Sequence, residues 1–450
     1  MQGMKYRIGV TVLLLISIGQ PVFAEVDLLI RNARVVDGTG SPWFLSDVAI
    51  AEGRITEVAR HLDKIANKEI DAAGKVLAPG FIDVHTHLRD SNLQYKEDFE
   101  SGTSAAIAGG YTTVLDMPNT DPPVTTREIL EKRISNANNR IFTNVGFISS
   151  PLEESSINEL DKAGSIAYKI YLHRPFDAQD LSDESLTKIM NKIEGVSKPI
   201  IFHAEELQGI DYAHEKEKSV ENEVNSIKRV IRLLKSTNVK VHFAHISTQI
   251  GLNEIIRAKN ANFDITVEAT PHHSLLNIDN IDLENRSNIE LFKCEPPLRN
   301  IENSESIKNG LIDGSIDIAA SDHAPHTVKE KINEGKPGFP NLEITARLML
   351  DLVLKDELKM NRFIELLVDN PVKRFNLLKR GMILEGYKAD LTIIDPKKSE
   401  IINSSEFYSK AKYSPFEGHT LNNSIYATIV NGKISFSNGK INNIKPGEIL

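Results

Sequence analysis

The sequence predicts an α/β fold, a TIM-type (β/α)8 barrel carrying a small β-sandwich composed of both chain ends. Three observations predict it. The chain has 450 residues, more than one ordinary domain and suited to a large barrel with a smaller companion. Both ends read as short strands separated by turn residues. The middle alternates apolar strand-like runs with helical stretches for about eight units, the pattern of a parallel barrel.

Taken in order, Lys5 and Arg7 precede an apolar run from Ile8 to Ile18, and Val22-Phe23-Ala24 fits a small-residue cleavage site. The run is shorter than the roughly 20 apolar residues a bilayer span needs. Residues 1–24 therefore read as a secretory signal peptide, with no stable membrane span. Use of that leader places the protein outside the cytoplasm, exported or periplasmic; without it the chain stays cytoplasmic. Strands follow at Asp27–Asn32, Asp47–Ile50 and Arg54–Val58, with Asp37-Gly-Thr-Gly40 and Glu52-Gly53 as turns. The same texture returns at Asp390–Asp395, Ala427–Lys433 and Lys433–Phe436. Residues 25–75 and 371–450 are accordingly assigned to the β-sandwich and 76–370 to the barrel. Candidate barrel strands are Val76–Val84, Tyr111–Leu115, Asn144–Ile148, Ile166–Tyr171, Pro199–Phe202, Lys240–Ala244, Asp264–Glu268 and Ser315–Ala319. Thr126–Ala137, Glu221–Lys235 and Gly251–Asn260 are helical stretches between them.

Composition narrows the function. Apolar residues make up 40%, enough for a sizeable core, and the formal charge is −9. Phosphate binding needs a basic surface, so a nucleic-acid partner is not expected. An anionic small substrate requires only a local cation. The single cysteine, Cys294, allows neither an intramolecular disulfide nor a thiolate zinc cage. It reads as a buried, inert thiol. A homo-oligomer is compatible with the sequence.

In a barrel, reacting groups come from the C-terminal ends of the strands. The first candidate strand ends in His85-Thr86-His87, and residues two apart in extended chain point to one side. The fourth contains Lys169, the fifth ends at His203, the sixth at His245 and the eighth at Asp322. Four imidazoles, a carboxylate and a lysine at strand ends fit a metal site of nitrogen and oxygen ligands.

These residues sit in motifs that carry a family resemblance: Pro79-Gly-Phe-Ile-Asp-Val-His-Thr-His-Leu-Arg89, Asp116-Met-Pro-Asn-Thr120, Phe202-His-Ala-Glu205, His245-Ile-Ser-Thr248, Thr270-Pro-His-His273, Pro296-Pro-Leu-Arg299 and Ser321-Asp-His-Ala-Pro-His326. Together they resemble dihydroorotases, from about Asp27 to Lys433. The resemblance implies the amidohydrolase barrel with its β-sandwich and a site holding zinc, two ions. It implies that His85 and His87 hold one ion with Asp322, that His203 and His245 hold the other, and that a carbamylated Lys169 bridges them. A metal-bridging hydroxide then opens the cyclic amide reversibly, with Asp322 moving the proton. Pyrimidine biosynthesis, by way of (S)-dihydroorotate and N-carbamoyl-L-aspartate, is the implied setting.

Arg89 points to a carboxylate-bearing substrate, because a planar guanidinium pairs bidentately with a carboxylate. By the same resemblance Asn119 and His326 complete that cradle. Two positions depart from the family. Glu295 stands where relatives carry an uncharged polar residue against the substrate ring, and Asn341 stands where a glycine is usual. Asp37-Gly-Thr-Gly-Ser-Pro-Trp-Phe44 resembles N-acyl-D-amino-acid deacylases instead, and export suits such an enzyme. Hydantoin and allantoin hydrolysis are weakened by Arg89. A non-catalytic scaffold is opposed by the six occupied ligand positions. Of the remaining histidines, His242 reads as core or as support for a ligand, and His272 and His273 as support or loop caps. His173 receives no role.

Overall fold

The computed structural model describes residues 25–173, 176, 177, 179–206, 220–282 and 286–450. The predicted leader, residues 1–24, lies outside the described residues. Among the described residues no helix is long and apolar enough to cross a membrane.

Eight parallel strands form one sheet in strict sequence order: Phe81–Thr86, Tyr111–Asp116, Asn144–Ser149, Ala167–Tyr171, Ile200–His203, Val241–Phe243, Ile265–Ala269 and Ile318–Ala319. The seam between the last and first closes through a Thr86–His323 bridge and through Asp83. The Asp83 carboxylate accepts from His85 N at 3.0 Å and from Ser321 N at 3.2 Å. Burial pushes that carboxyl up to about 7. Helices return the chain between strands, and their starts are set by side-chain caps: Thr126 accepts from Ile129 N before Arg127–Ala137, and Thr248 from Gly251 N before Gln249–Asn260.

Strand alternation sorts the core into two layers. Tyr168, Ile170, Ile200, Phe202, Val241 and Phe243 pack outward with the helices. Ile82, Ala167, Ile201, Ala244 and Ile318 pack together as a separate inner cluster, closed by Phe375 and Leu377. That parity turns Lys169, His203, His242 and Glu268 inward.

Nine strands from both chain ends make a second sheet. Leu391–Asp395 pairs antiparallel with Val76–Pro79 on one side and with Ser424–Val430 on the other. Val26–Val35 pairs with Phe44–Ala51 along one edge, and its other edge divides between Ala66–Asp71 and Val76–Pro79. Leu28, Ile50, Leu77, Ile393 and Ile429 share one core, so neither end buries its apolar face without the other.

One expected strand is two. Val76–Val84 divides at Gly80 into Val76–Pro79 of the end sheet and Phe81–Thr86 of the barrel. A Cβ at residue 80 would lie 2.1 Å from Thr112 Oγ1, so only glycine fits the crossing.

Candidate active site

The six expected ligand positions converge at the C-terminal mouth of the barrel. His85 and His87 follow from the first strand, with ring centroids 5.3 Å apart. His245 lies 5.1 Å from His85 and 4.4 Å from His203, centroid to centroid. Asp322 Oδ1 is 3.4 Å from His85 Nε2 and 3.2 Å from His87 Nε2. His245 and Asp322 have φ of 32° and 45°, the left-handed region that non-glycine residues enter at a cost and that clusters at functional sites.

The donor set fits a cation. His85 Nδ1 faces Glu268 Oε1, and His87 Nδ1 lies 2.6 Å from Asn119 Oδ1. With those protons on Nδ1, both Nε2 lone pairs are aimed at Asp322 Oδ1. Two imidazole nitrogens and a carboxylate oxygen thus converge on one point, a donor set that suits a positive ion. Burial keeps His87 neutral, down to about 4. Burial alone would raise the Asp322 carboxyl, but His85, His87 and His245 outweigh it and hold the group well below the usual carboxylate range. His203 Nε2, His245 Nδ1 and Lys169 Nζ are buried without a hydrogen-bond partner. Burial lowers Lys169 to about 8, against the pull of Glu268 and Asp322, which makes the neutral amine far more accessible than in an exposed lysine.

A cavity of about 360 Å³ opens above these groups. Arg89, Asn119, His326 and Glu295 all line it, as do His85, His87, His203, His245 and Asp322. Lys169 lies beneath, fully buried. Arg89 is 7% exposed, and its Nε donates to Pro325 O at 3.2 Å. Among the described residues no carboxylate lies within ion-pair distance of it. Asn119 already accepts from His87. His326 holds Lys96 Nζ at 3.3 Å on Nδ1 and Pro337 O at 3.1 Å on Nε2, so both its nitrogens are engaged. Glu295 Oε2 stands 3.6 Å from His173 Nε2.

Several residues here carry no sequence signal. His173 lines the cavity and stacks on His203 with ring centroids 3.7 Å apart. Glu268, at the end of the seventh strand, is fully buried against His85 and also accepts from His242 Nε2 at 2.9 Å. Burial opposes its ionisation, but the two imidazoles hold it well below the usual range. Arg133 reaches in from helix Arg127–Ala137 to Asp116 Oδ2 at 2.7 Å and to Arg89 O at 2.9 Å. Asp116 Oδ1 in turn accepts from Leu88 N at 2.9 Å. The His87–Arg89 turn is thus clamped from behind by a buried ion pair.

Beside the cavity, Asn341 turns its amide to His272 Nδ1 at 3.0 Å instead of into the cavity. His273 is satisfied by Thr270 Oγ1 at 2.8 Å and Pro296 O at 2.9 Å. Burial pushes the Cys294 thiol up to about 12, in keeping with an inert role.

A parallel barrel with imidazoles, a carboxylate and a buried lysine over its C-terminal mouth is the build of a metal-assisted hydrolase. The chain belongs to the amidohydrolase family, whose model matches residues 76–435. It is 35% identical to the dihydroorotase of Trichlorobacter lovleyi over 92% of this chain and 100% of that protein. It is 34% identical to the dihydroorotase of Geotalea daltonii, over 91% of this chain and 99% of that one. Among solved structures, the L-hydantoinase (dihydropyrimidinase) from Arthrobacter aurescens superposes at a TM-score of 0.87 with 26% identity, covering 94% of this chain and 99% of that chain. The chain is an enzyme, a dihydroorotase-like hydrolase of cyclic amides.

Proposed function

We propose that the substrate is (S)-dihydroorotate, opened reversibly to N-carbamoyl-L-aspartate. The observation that carries this reading is Arg89: a buried guanidinium on the cavity wall with no carboxylate partner among the described residues, beside a ring of candidate metal ligands. An uncompensated buried cation is costly unless a ligand anion completes it. The substrate carboxylate meets Arg89 and the Asn119 amide. His326 joins them once Pro337 O releases it. Glu295, held against His173, bounds the ring from another wall.

Two zinc ions would be held here, one by His85, His87 and Asp322 and the other by His203 and His245, and Lys169 would serve both as its carbamate. Lys169 suits that place because a neutral, orphaned amine adds carbon dioxide to give an anionic carbamate, releasing a proton. Zinc, when bound, supplies the Lewis acidity that polarises an amide carbonyl and acidifies water. Asp322, held as a carboxylate, accepts the proton of the attacking water and delivers it to the departing ring nitrogen. In the ring-closing direction the same carboxyl takes the ureido proton. Residues 1–24 act as an export leader, residues 25–79 with 371–450 form the sandwich domain, the boundary moving past the strand Val76–Pro79, and 80–370 form the catalytic domain.

A second reading, a cyclic amide without a carboxylate, is favoured by the likeness to L-hydantoinase and by the carboxylate of Glu295 in the cavity. Turnover of dihydroorotate, hydantoin, allantoin and N-acetyl-D-amino acids by the zinc-loaded chain, measured side by side, decides between them. Dihydroorotate is expected to be fastest. Brisk hydantoin turnover with dihydroorotate left intact would refute the proposal.

A further inference from the structure

Glu268 has no place in the chemistry above, yet it touches two of the candidate metal ligands, His85 and His245. It lies on the inward face of the seventh strand and is fully buried. One oxygen, Oε1, faces His85 Nδ1 and also accepts from the backbone N of His245 at 3.1 Å. The other, Oε2, accepts from His242 Nε2 at 2.9 Å, and His242 Nδ1 is satisfied by Thr266 Oγ1 at 2.8 Å. Every contact to the carboxylate comes from an N–H, and none is exposed to water.

From this geometry we infer that Glu268 is a positioning residue that sets both ends of the metal site at once. By accepting from His85 Nδ1 it fixes the proton there and leaves Nε2 as the lone pair facing Asp322. By accepting from His245 N it pins a backbone held at φ 32°, a conformation the chain would otherwise relax. His85 and His245 belong to the two different ions in the proposed ligand division, so one carboxylate braces a ligand of each. His242 is the brace behind the brace: it occupies the second oxygen and keeps the carboxylate from turning. The inference rests on the metal-site reading and adds to it a residue outside the ligand set.

The test is zinc affinity, measured on metal-stripped protein by competition with a chelator of known strength, together with zinc stoichiometry and the melting temperature of the stripped chain. Glu268→Gln keeps the shape but loses the anion, so one of its two faces must present an amide N–H where an acceptor is needed. Zinc affinity is expected to fall by roughly 10–100-fold, the usual effect of losing the carboxylate behind a ligating histidine. The stoichiometry and the stripped-state melting temperature should stay near those of the unaltered chain. His242→Gln, which leaves the His85 contact in place, is expected to lower affinity several-fold less. Should Glu268→Gln fail to fold, Glu268→Asp gives the same comparison with the charge kept and the reach shortened. Unchanged affinity with a lowered stripped-state melting temperature would reduce Glu268 to a structural role and overturn the inference. So would the loss of one whole zinc ion, which would make Glu268 a ligand. An unaltered chain that takes up no zinc would contradict the metal-site reading itself, and the inference with it.

Discussion

Asp322 shows how much one residue is asked to do. Its carboxylate faces His85 and His87, its φ is 45°, and the surrounding imidazoles keep it ionised despite burial. Asp322→Asn preserves shape and removes the proton acceptor, so kcat is expected to fall by roughly 10²–10⁴-fold. The circular dichroism spectrum should stay that of the unaltered chain. Steady-state kinetics beside that spectrum check it, and a variant retaining most of its activity would remove Asp322 from proton transfer. At this scale the six candidate ligands were legible in the sequence, because five are metal-ligating types at or just past strand ends and the sixth, Lys169, is a lysine inside an apolar strand. Glu268 was not. An acid followed by Ala269-Thr270-Pro271 looks like any strand leaving the core, and only the three-dimensional approach of His85 and His242 gives it a purpose. His173 was hidden for a similar reason, since only the fold brings the segment just past the fourth strand onto His203 at the end of the fifth.

Among the elements, helix Arg127–Ala137 does more than return the chain. Arg133, with a side chain 3% exposed, pairs with the fully buried Asp116 and holds the carbonyl of Arg89. Arg133→Met keeps the apolar stem but strands a buried carboxylate, which costs about 3–5 kcal/mol. Thermal or urea unfolding should show that loss, together with weaker substrate binding because the Arg89 turn slackens. An unfolding midpoint unchanged in this variant would show that the clamp contributes nothing. From the sequence the helix itself was clear as Thr126–Ala137, but nothing in it set Arg133 apart from its other charged residues. The barrel strands were likewise readable to within a few residues from their apolar runs. The exception was Val76–Val84, where continuous apolarity hid a change of sheet at Gly80 that depends on Thr112 crossing beside it.

For the whole molecule, the joint sheet made by both chain ends was visible as repeated strand texture, whereas the wiring between that part and the barrel was not. Glu343, just before helix Thr345–Leu354, accepts from Ser409 N at 3.0 Å, and Ser409 Oγ donates to Glu97, a neighbour of His323 at 3.4 Å. Burial is the largest influence on Glu343 and Glu97 adds to it, so the carboxyl is pushed up to about 8 despite the backbone donors of Ser409 and Tyr408. A raised folded-state value means that the protonated form favours folding. That contribution is complete below the ordinary value of 4.5 and is lost as pH climbs through about 8. Glu343→Gln should therefore gain melting temperature relative to the unaltered chain as pH rises from 5 to 8, and hold that gain above it. A difference independent of pH would place the titration elsewhere.

The central claim is that Arg89 selects a carboxylate-bearing ring for a metal-assisted hydrolase. The most direct measurement is kcat/KM for dihydroorotate relative to dihydrouracil, a ring without the carboxylate, in the unaltered chain and in Arg89→Met. Loss of charge-assisted hydrogen bonds worth about 1.5–3 kcal/mol predicts a ratio that drops roughly 10–150-fold, almost wholly through dihydroorotate. A ratio left unchanged by Arg89→Met would contradict the account.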